Sequence, residues 1–196
     1  MSTLKPIANF LYEVGMLNKT PRSGFHFLGS GEQSVAEHTC RTVYISYVLG
    51  MLDGTVDVGR MLKMALLHDL GESRVSDLNH VHQKYAARRQ SEAVGDVAAT
   101  LPFGADIVTA CAEQEAKQTP EAVLVKDADT LEWIISLKEQ VDIGNERARY
   151  WIDYATRKLK TDIARQLAAE MMQTDSNEWW GGEAGGKAWQ PDQNLR

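Results

Sequence analysis

The chain has 196 residues, 43% of them apolar and 24% charged, the balance of an ordinary soluble domain long enough to bury one sizeable core. Its formal net charge of −6 excludes a broad nucleic-acid-binding face, which needs a basic surface, but allows a small anionic ligand held by one or two local cations. No apolar run reaches the roughly 18 residues that span a bilayer, residues 1–9 lack the basic-then-apolar pattern of an export signal, and Cys40 and Cys111 have no C-x-x-C spacing; the expectation is a cytoplasmic protein with reduced thiols and no membrane partner.

Residues 4–17 place Ile7, Phe10, Leu11, Val14 and Leu17 at three- and four-residue spacing, which predicts an amphipathic helix. Residues 20–33 are punctuated by Pro21, Gly24, Gly29 and Gly31 and read as a loop. Ser34-Val35-Ala36-Glu37 has the S-x-x-E form of a capping box, so a helix starts near Val35. Residues 50–57, centred on Asp53-Gly54, read as a turn, and Asp57 caps a helix that ends near Gly71. A further helix covers residues 83–101 and is stopped by Pro102-Phe103-Gly104. Pro120 opens the segment that carries Asp129, a break falls at residues 140–144, and residues 146–172 read as one long terminal helix. Alternating strand patterns and internal repeats are absent, so the expected fold is all-α, an irregular helical bundle spanning residues 1–173. Residues 174–196 change composition, with two Gly-Gly pairs and Trp179, Trp180 and Trp189; they read as a separate tail that packs on its own domain or on a partner subunit.

Four residues suggest chemistry: His38, the adjacent pair His68-Asp69, and Asp129. Imidazole nitrogens and carboxylate oxygens bind divalent cations while leaving positions open for water or substrate. His68-Asp69 stands where the apolar run Met64-Ala65-Leu66-Leu67 turns acidic, with Glu72 three residues on. Charges carried into a core cost roughly several kcal/mol each unless they are paired, and a bound cation pairs them. Glu72 shares a helical face with His68 if the helix continues past Gly71. Arg22, in a Gly/Pro loop, can reach over a pocket and bind phosphate through two parallel hydrogen bonds, although such an arginine taken alone is more often a solvated loop cation. Arg74, Lys84, Arg88 and Arg89 could add positive potential, the last three fitting a solvated helix face better, and Glu113 and Glu115 could approach a cation from outside.

In chain order these residues resemble the HD-domain phosphohydrolases, whose pattern is H…HD…D: Val35-Ala36-Glu37-His38, Leu67-His68-Asp69, and Lys126-Asp127-Ala128-Asp129. The resemblance is closest to a small 5′-deoxynucleotidase-like branch. Arg22-Ser23-Gly24-Phe25 is similar to its R-[ST]-G-aromatic segment, His68-Asp69-Leu70-Gly71-Glu72 to its HD-x-x-E form, and Val75-Ser76-Asp77-Leu78 to its G-D-[IL] stretch, so the similarity covers about residues 4–135. The resemblance implies that His38, His68, Asp69 and Asp129 ligate one divalent cation, for which the ligand set admits Mn²⁺, Co²⁺, Fe²⁺, Ni²⁺, Zn²⁺ or Mg²⁺. It implies that Glu72 assists proton transfer, that Arg22 holds a 5′-phosphate, that Phe25 lines the sugar side of the pocket, and that Asp77 accepts a hydrogen bond from a sugar hydroxyl. Glu72, rather than a lysine, counts against a cyclic-dinucleotide phosphodiesterase. The implied activity is hydrolysis of a deoxynucleoside 5′-monophosphate, with a deoxynucleoside triphosphate triphosphohydrolase as the enzymatic alternative and a non-catalytic nucleotide-binding module as the alternative of another class. A homodimer or higher homo-oligomer is implied as well.

Overall fold

A computed structural model describes residues 4–181. The described residues form α1 (Leu4–Val14), α2 (Val35–Asp53), α3 (Val58–Leu67), α4 (Glu72–Val75), α5 (His82–Tyr85), α6 (Gln90–Ala98), α7 (Gly104–Ala116), α8 (Pro120–Asp142), α9 (Arg147–Thr156), α10 (Asp162–Gln173) and α11 (Glu178–Gly181). Two 3₁₀ turns, Gly15–Asn18 and Ser23–Phe27, lie between α1 and α2. No β-strand occurs among the described residues; a single antiparallel bridge pairs Pro21 with Ser34.

Local chemistry sets most helix starts. Ser34 and Glu37 close the expected capping box: the Glu37 amide donates to Ser34 Oγ, and the Ser34 amide donates to the Glu37 carboxylate. Asp57, Thr119 and Thr161 cap α3, α8 and α10 in the same manner, each accepting from a backbone N–H three residues on. Pro120 occupies the first turn of α8, where its missing N–H costs nothing.

Helix α8 is the axle. It packs against α2, α3, α7, α9 and α10, and it buries Leu124, Val125, Leu131, Ile134 and Leu137 together with the polar Asp127 and Glu132. The main core joins these to Leu49, Met61 and Met64 of α2 and α3. A smaller apolar cluster of Leu70, Val94, Val97, Leu101 and Ile107 lies under α6 and α7, with Ile7, Phe10 and Val14 of α1 laid against it. Leu67 packs on both clusters. The His68-Asp69 pair follows it directly, and so emerges at the junction of the two.

Four expectations about elements are corrected. Helix α2 runs on through Asp53 and ends at Gly54, whose φ of 71° is the left-handed cap that glycine favours, so the turn is shorter than residues 50–57. The helix expected over residues 83–101 is divided into α5 and α6, with Ala86 in extended backbone between them. Helix α7 forms in residues for which the periodicity had assigned no element. The long terminal helix is two helices. Both oxygens of the buried Asp127 carboxylate are taken, by the Lys160 amide at 2.8 Å and by the Thr161 amide at 2.8 Å, and this anchors a break between α9 and α10. Of the tail, Trp179 and Trp180 lie in α11 and are exposed, while Trp189 and the glycine pair at 185–186 lie outside the described residues.

Candidate active site

The expected metal donors come from two helices, α2 and α8, and from the turn that follows α3. His38 lies in the second turn of α2 and is wholly buried. Helix α3 stops at Leu67, and the chain then passes through tight turns, Leu70 N–H donating to Leu67 O at 3.0 Å and Glu72 N–H to Asp69 O at 2.9 Å, before α4 begins. His68, Asp69 and Glu72 therefore do not ride on one continuous helix. Donor atoms of His38, His68 and Asp69 lie within 4.8 Å of one another. Asp129, from α8, joins them through His38: its Oδ1 is 3.1 Å from His38 Nε2. The two imidazoles meet Nε2 to Nε2 at 3.3 Å, and Asp69 Oδ2 is 3.2 Å from His68 Nε2.

Both imidazoles are oriented from behind. His38 Nδ1–H donates to Glu132 Oε2 at 2.5 Å, and His68 Nδ1–H donates to the Ala65 carbonyl at 2.8 Å. With Nδ1 committed as donor, each ring turns an Nε2 lone pair inward, the arrangement that metal-ligating histidines use. Two such lone pairs and two carboxylates facing one another repel unless a positive charge sits among them. The protein alone meets this by protonation. Burial by itself would lower the His68 pKa, but the Asp69 and Asp129 carboxylates and the Ala65 carbonyl raise it to about 9. Burial likewise works against the ionised forms of Asp69 and Asp129, yet His68, Arg22 and His38 hold the first below the usual carboxylate range, and Lys126 with His38 holds the second there. The donor set thus fits a divalent cation.

Glu132 is a site residue that sequence reading missed. It is fully buried on α8, accepts from Gln33 Nε2 at 2.7 Å and from Ser136 Oγ at 3.1 Å, and lies 3.6 Å from Arg41 Nε. Its signal was helical spacing: Asp129, Glu132 and Ser136 recur at three- and four-residue steps in α8. Glu113, which could have filled that role, binds Arg60 and Thr119 instead, while Glu115 accepts from Ser91 and lines a second cavity with His68, Asp69 and Asp129.

Glu72 is 1% exposed. Its Oε1 accepts from Gln90 Nε2 at 2.9 Å and faces Arg88 at 3.5 Å, while Oε2 is buried with no hydrogen-bond partner among the described residues. Burial, then the Asp69 and Asp77 carboxylates, push the Glu72 carboxyl up to about 8, against the pull of Arg22 and Arg88. Burial among carboxylates therefore favours its protonated form.

Arg22 reaches the cluster because its loop is cinched at the base. Arg22 N–H donates to Gln33 O and Val35 N–H to Thr20 O, on either side of the Pro21–Ser34 bridge. The guanidinium lies 3.5 Å from both Asp69 Oδ2 and Asp77 Oδ2. Burial alone would lower its pKa; Asp69, Asp77 and Asp129 outweigh that and raise it, so the charge is permanent. Asp77 Oδ2 also accepts from the Ser23 amide at 2.9 Å, tying the loop to the segment after α4.

The reading of Phe25 is corrected. It is buried in the main core, edge-to-face with Trp133 at a centroid separation of 5.2 Å, and is not among the residues that line the cavity. The 3₁₀ turn over Ser23–Phe27 points it inward, and the aromatic lining is instead Phe27, Trp133, Trp151 and Tyr154. Of the other basic residues, Arg88 does reach the cavity. Arg74 pairs with Glu13, Arg89 pairs with Glu92, and Lys84 lies over the Tyr85 ring. Lys126, 2.6 Å from Asp129 Oδ2, and Lys158 are cations of the cavity wall that sequence reading had not singled out.

These groups share a cavity of about 250 Å³ whose wall includes Arg22, Asp69, Glu72, Asp77 and Asp129. An all-α bundle that gathers a His/Asp cluster at the seam of α2, α3 and α8 is the architecture of the HD domain. A family model described as HD domain matches residues 14–172, and the chain belongs to that family. It is 33% identical to a Schizosaccharomyces pombe protein named 5′-deoxynucleotidase, with 88% of this chain and 92% of that protein covered. A Danio rerio protein of the same name is 32% identical, over 71% of this chain and 72% of that protein. Among solved structures, a conserved hypothetical protein from Pyrococcus furiosus superposes with a TM-score of 0.73 at 30% identity, covering 85% of this chain and 99% of that one.

Proposed function

We propose that the chain is a metal-dependent phosphohydrolase that converts a deoxynucleoside 5′-monophosphate and water to a deoxynucleoside and inorganic phosphate. The observation that carries the reading is the placement of Arg22 and Glu72 in the same cavity as Asp69 and Asp129, the two carboxylates that meet the His38 and His68 imidazoles behind the cavity wall. A structural metal centre needs neither a buried phosphate-binding cation nor a protonated acid. Relatives named 5′-deoxynucleotidase support the substrate class.

A divalent cation held by His38, His68, Asp69 and Asp129 would supply Lewis acidity at a phosphate oxygen and activate the attacking water. The chain's own groups do the rest. Arg22 offers two donors to the non-bridging phosphate oxygens and offsets the charge that grows there. Asp77, held by Ser23 and Arg22, would accept from a sugar hydroxyl. As the P–O5′ bond breaks, the leaving oxygen would take a proton from Glu72, whose burial among carboxylates favours the protonated form. Glu132 positions His38 rather than touching substrate.

Lys126, Arg88 and Lys158 in the cavity wall favour a second reading, removal of tripolyphosphate from a deoxynucleoside triphosphate, which needs cations beyond Arg22. Incubation with Mn²⁺ or Co²⁺ and either dNMP or dNTP separates the two: orthophosphate released from dNMP supports the first, tripolyphosphate released from dNTP the second. No turnover of either with any transition metal defeats both.

The reading includes a cytoplasmic homodimer. No described helix is long and apolar enough to cross a membrane, and both cysteines are free. Tyr44, Tyr47, Val48, Met51 and Leu52 are exposed at three- and four-residue spacing along α2, an apolar stripe that a second copy would cover. Sedimentation of the purified protein tests this: a monomer at micromolar concentration rejects it.

A further inference from the structure

The cavity has two chemically different ends. One holds Arg22, Asp69, Glu72, Asp77 and Asp129, and the other is walled by Phe27, Trp133, Trp151 and Tyr154. We propose that the aromatic end is the nucleobase subsite, with the base stacked on Trp151 and Tyr154 of α9 against Trp133 of α8. The proposal rests on the nucleotide reading above and deepens it: the protein would draw binding energy from the heterocycle as well as from the phosphate.

Trp133 is built in as a fixed wall. Phe25 braces it edge-to-face from the core, and Trp151 meets it nearly perpendicular, at 81° and 6.5 Å between centroids. Gly24 passes so close that an added Cβ would come within 2.9 Å of the indole, so the ring and the loop backbone are in direct contact. Four consecutive residues, Arg22 to Phe25, thereby bind both ends of the cavity into one frame: Arg22 serves the phosphate end, while Gly24 and Phe25 hold Trp133.

Of the remaining rings, Trp151 is partly buried against the core, while Phe27 and Tyr154 are open to a ligand. Phe27 is 41% and Tyr154 50% exposed, large apolar surfaces that the core does not use. Phe27 lies within 15° of parallel to Trp151, with centroids 6.3 Å apart, so two flat faces share one orientation. Lys158 Nζ sits over one face of the Tyr154 ring, 4.3 Å from its centroid, so a base stacks on the other face or displaces the ammonium. Stacking on aromatic faces is tolerant of base identity, because every base has a π-face, so the platform accepts all four bases and favours the larger purines.

The test compares dAMP with 2-deoxyribose 5-phosphate, which keeps the phosphate and sugar but has no base. The ratio of kcat/KM for the two is measured in the wild type, in Trp151→Ala and in Tyr154→Ala. The ratio is expected to fall about tenfold in each variant, within the range that base–aromatic stacking supplies. Tyr154 is half-exposed, so its variant keeps the test available if Trp151→Ala does not fold. Deoxyadenosine titrated into the wild type is expected to quench tryptophan fluorescence, with the response reduced in Tyr154→Ala. A ratio unchanged in the folded variants, or no quenching in the wild type, overturns the proposal. If the wild type hydrolyses neither compound, the hydrolase reading fails, and the fluorescence titration still decides the base platform by itself.

Discussion

Ser76 offers a direct measure of how much strain the site stores. Its backbone sits at φ 65° and ψ 165°, a region that is essentially restricted to glycine. It falls in the segment Val75-Ser76-Asp77-Leu78, whose family counterpart reads G-D-[IL]. Holding a serine there costs about 1–3 kcal/mol, and the side chain returns little, because it is exposed. Ser76→Gly removes the strain but raises the conformational entropy of the unfolded chain, which costs about 0.5–1 kcal/mol. The net expectation is a gain near 1 kcal/mol, or roughly 2–4 °C in Tm for a protein of this size. Urea denaturation of the two proteins without metal reads the difference, and Ser76→Val should move the midpoint the other way, since a β-branched residue fits that region worse. Hydrolysis by Ser76→Gly should stay near wild type, because the bonds from Asp77 to Ser23 and Arg22 are untouched. A glycine variant less stable by its ordinary entropic cost would refute the argument, for it would mean that the backbone at Ser76 is relaxed.

Three further outcomes follow from the site. Glu132→Gln keeps the volume but loses the buried charge that holds His38 Nδ1–H, and is expected to weaken metal affinity about 10–100-fold by calorimetric titration, with folding retained; unchanged affinity would show that Glu132 does not position the ligand. Glu72→Gln should abolish hydrolysis and yet stabilise the metal-free protein at high pH. The folded pKa of about 8 lies above the ordinary 4.5, so the unfolded chain releases this proton first; between those values the wild type loses about 1.36 kcal/mol per pH unit that the amide does not lose. Denaturation midpoints at pH 5 and pH 9 should therefore diverge, and a constant gap between the two proteins would contradict it. Asp127→Ala leaves the Lys160 and Thr161 amides without their acceptor and should cost about 2–4 kcal/mol by urea denaturation, with metal affinity little altered.

Much of the fold was legible because its signals are local. A capping box needs only Ser34 and Glu37, and a helix start at Pro120 needs only that proline and Thr119. The residues that cluster were legible for a related reason: few residue types ligate a cation, and His38, His68, Asp69 and Asp129, which lie together in the fold, stand out in chain order. The break between α9 and α10 was not legible, because the carboxylate that anchors it belongs to Asp127 on another helix. The direction of Phe25 was hidden as well: an aromatic residue in a glycine loop suits a pocket or a core equally, and only the neighbouring Trp133 decides.

Taken alone, then, the order of residues established an all-α chain, most helix starts, and the kind of chemistry available, since periodicity, capping and ligand type are properties of short stretches or of single side chains. Tertiary structure decided which groups meet. The packing of α8 against α2 brings Glu132 behind His38, the turns after α3 swing Asp69 and Glu72 toward one cavity, and the pairing of α8 with α9 sets Trp151 beside Trp133. Those encounters join residues far apart in the chain, and close packing of the whole core is what selects them.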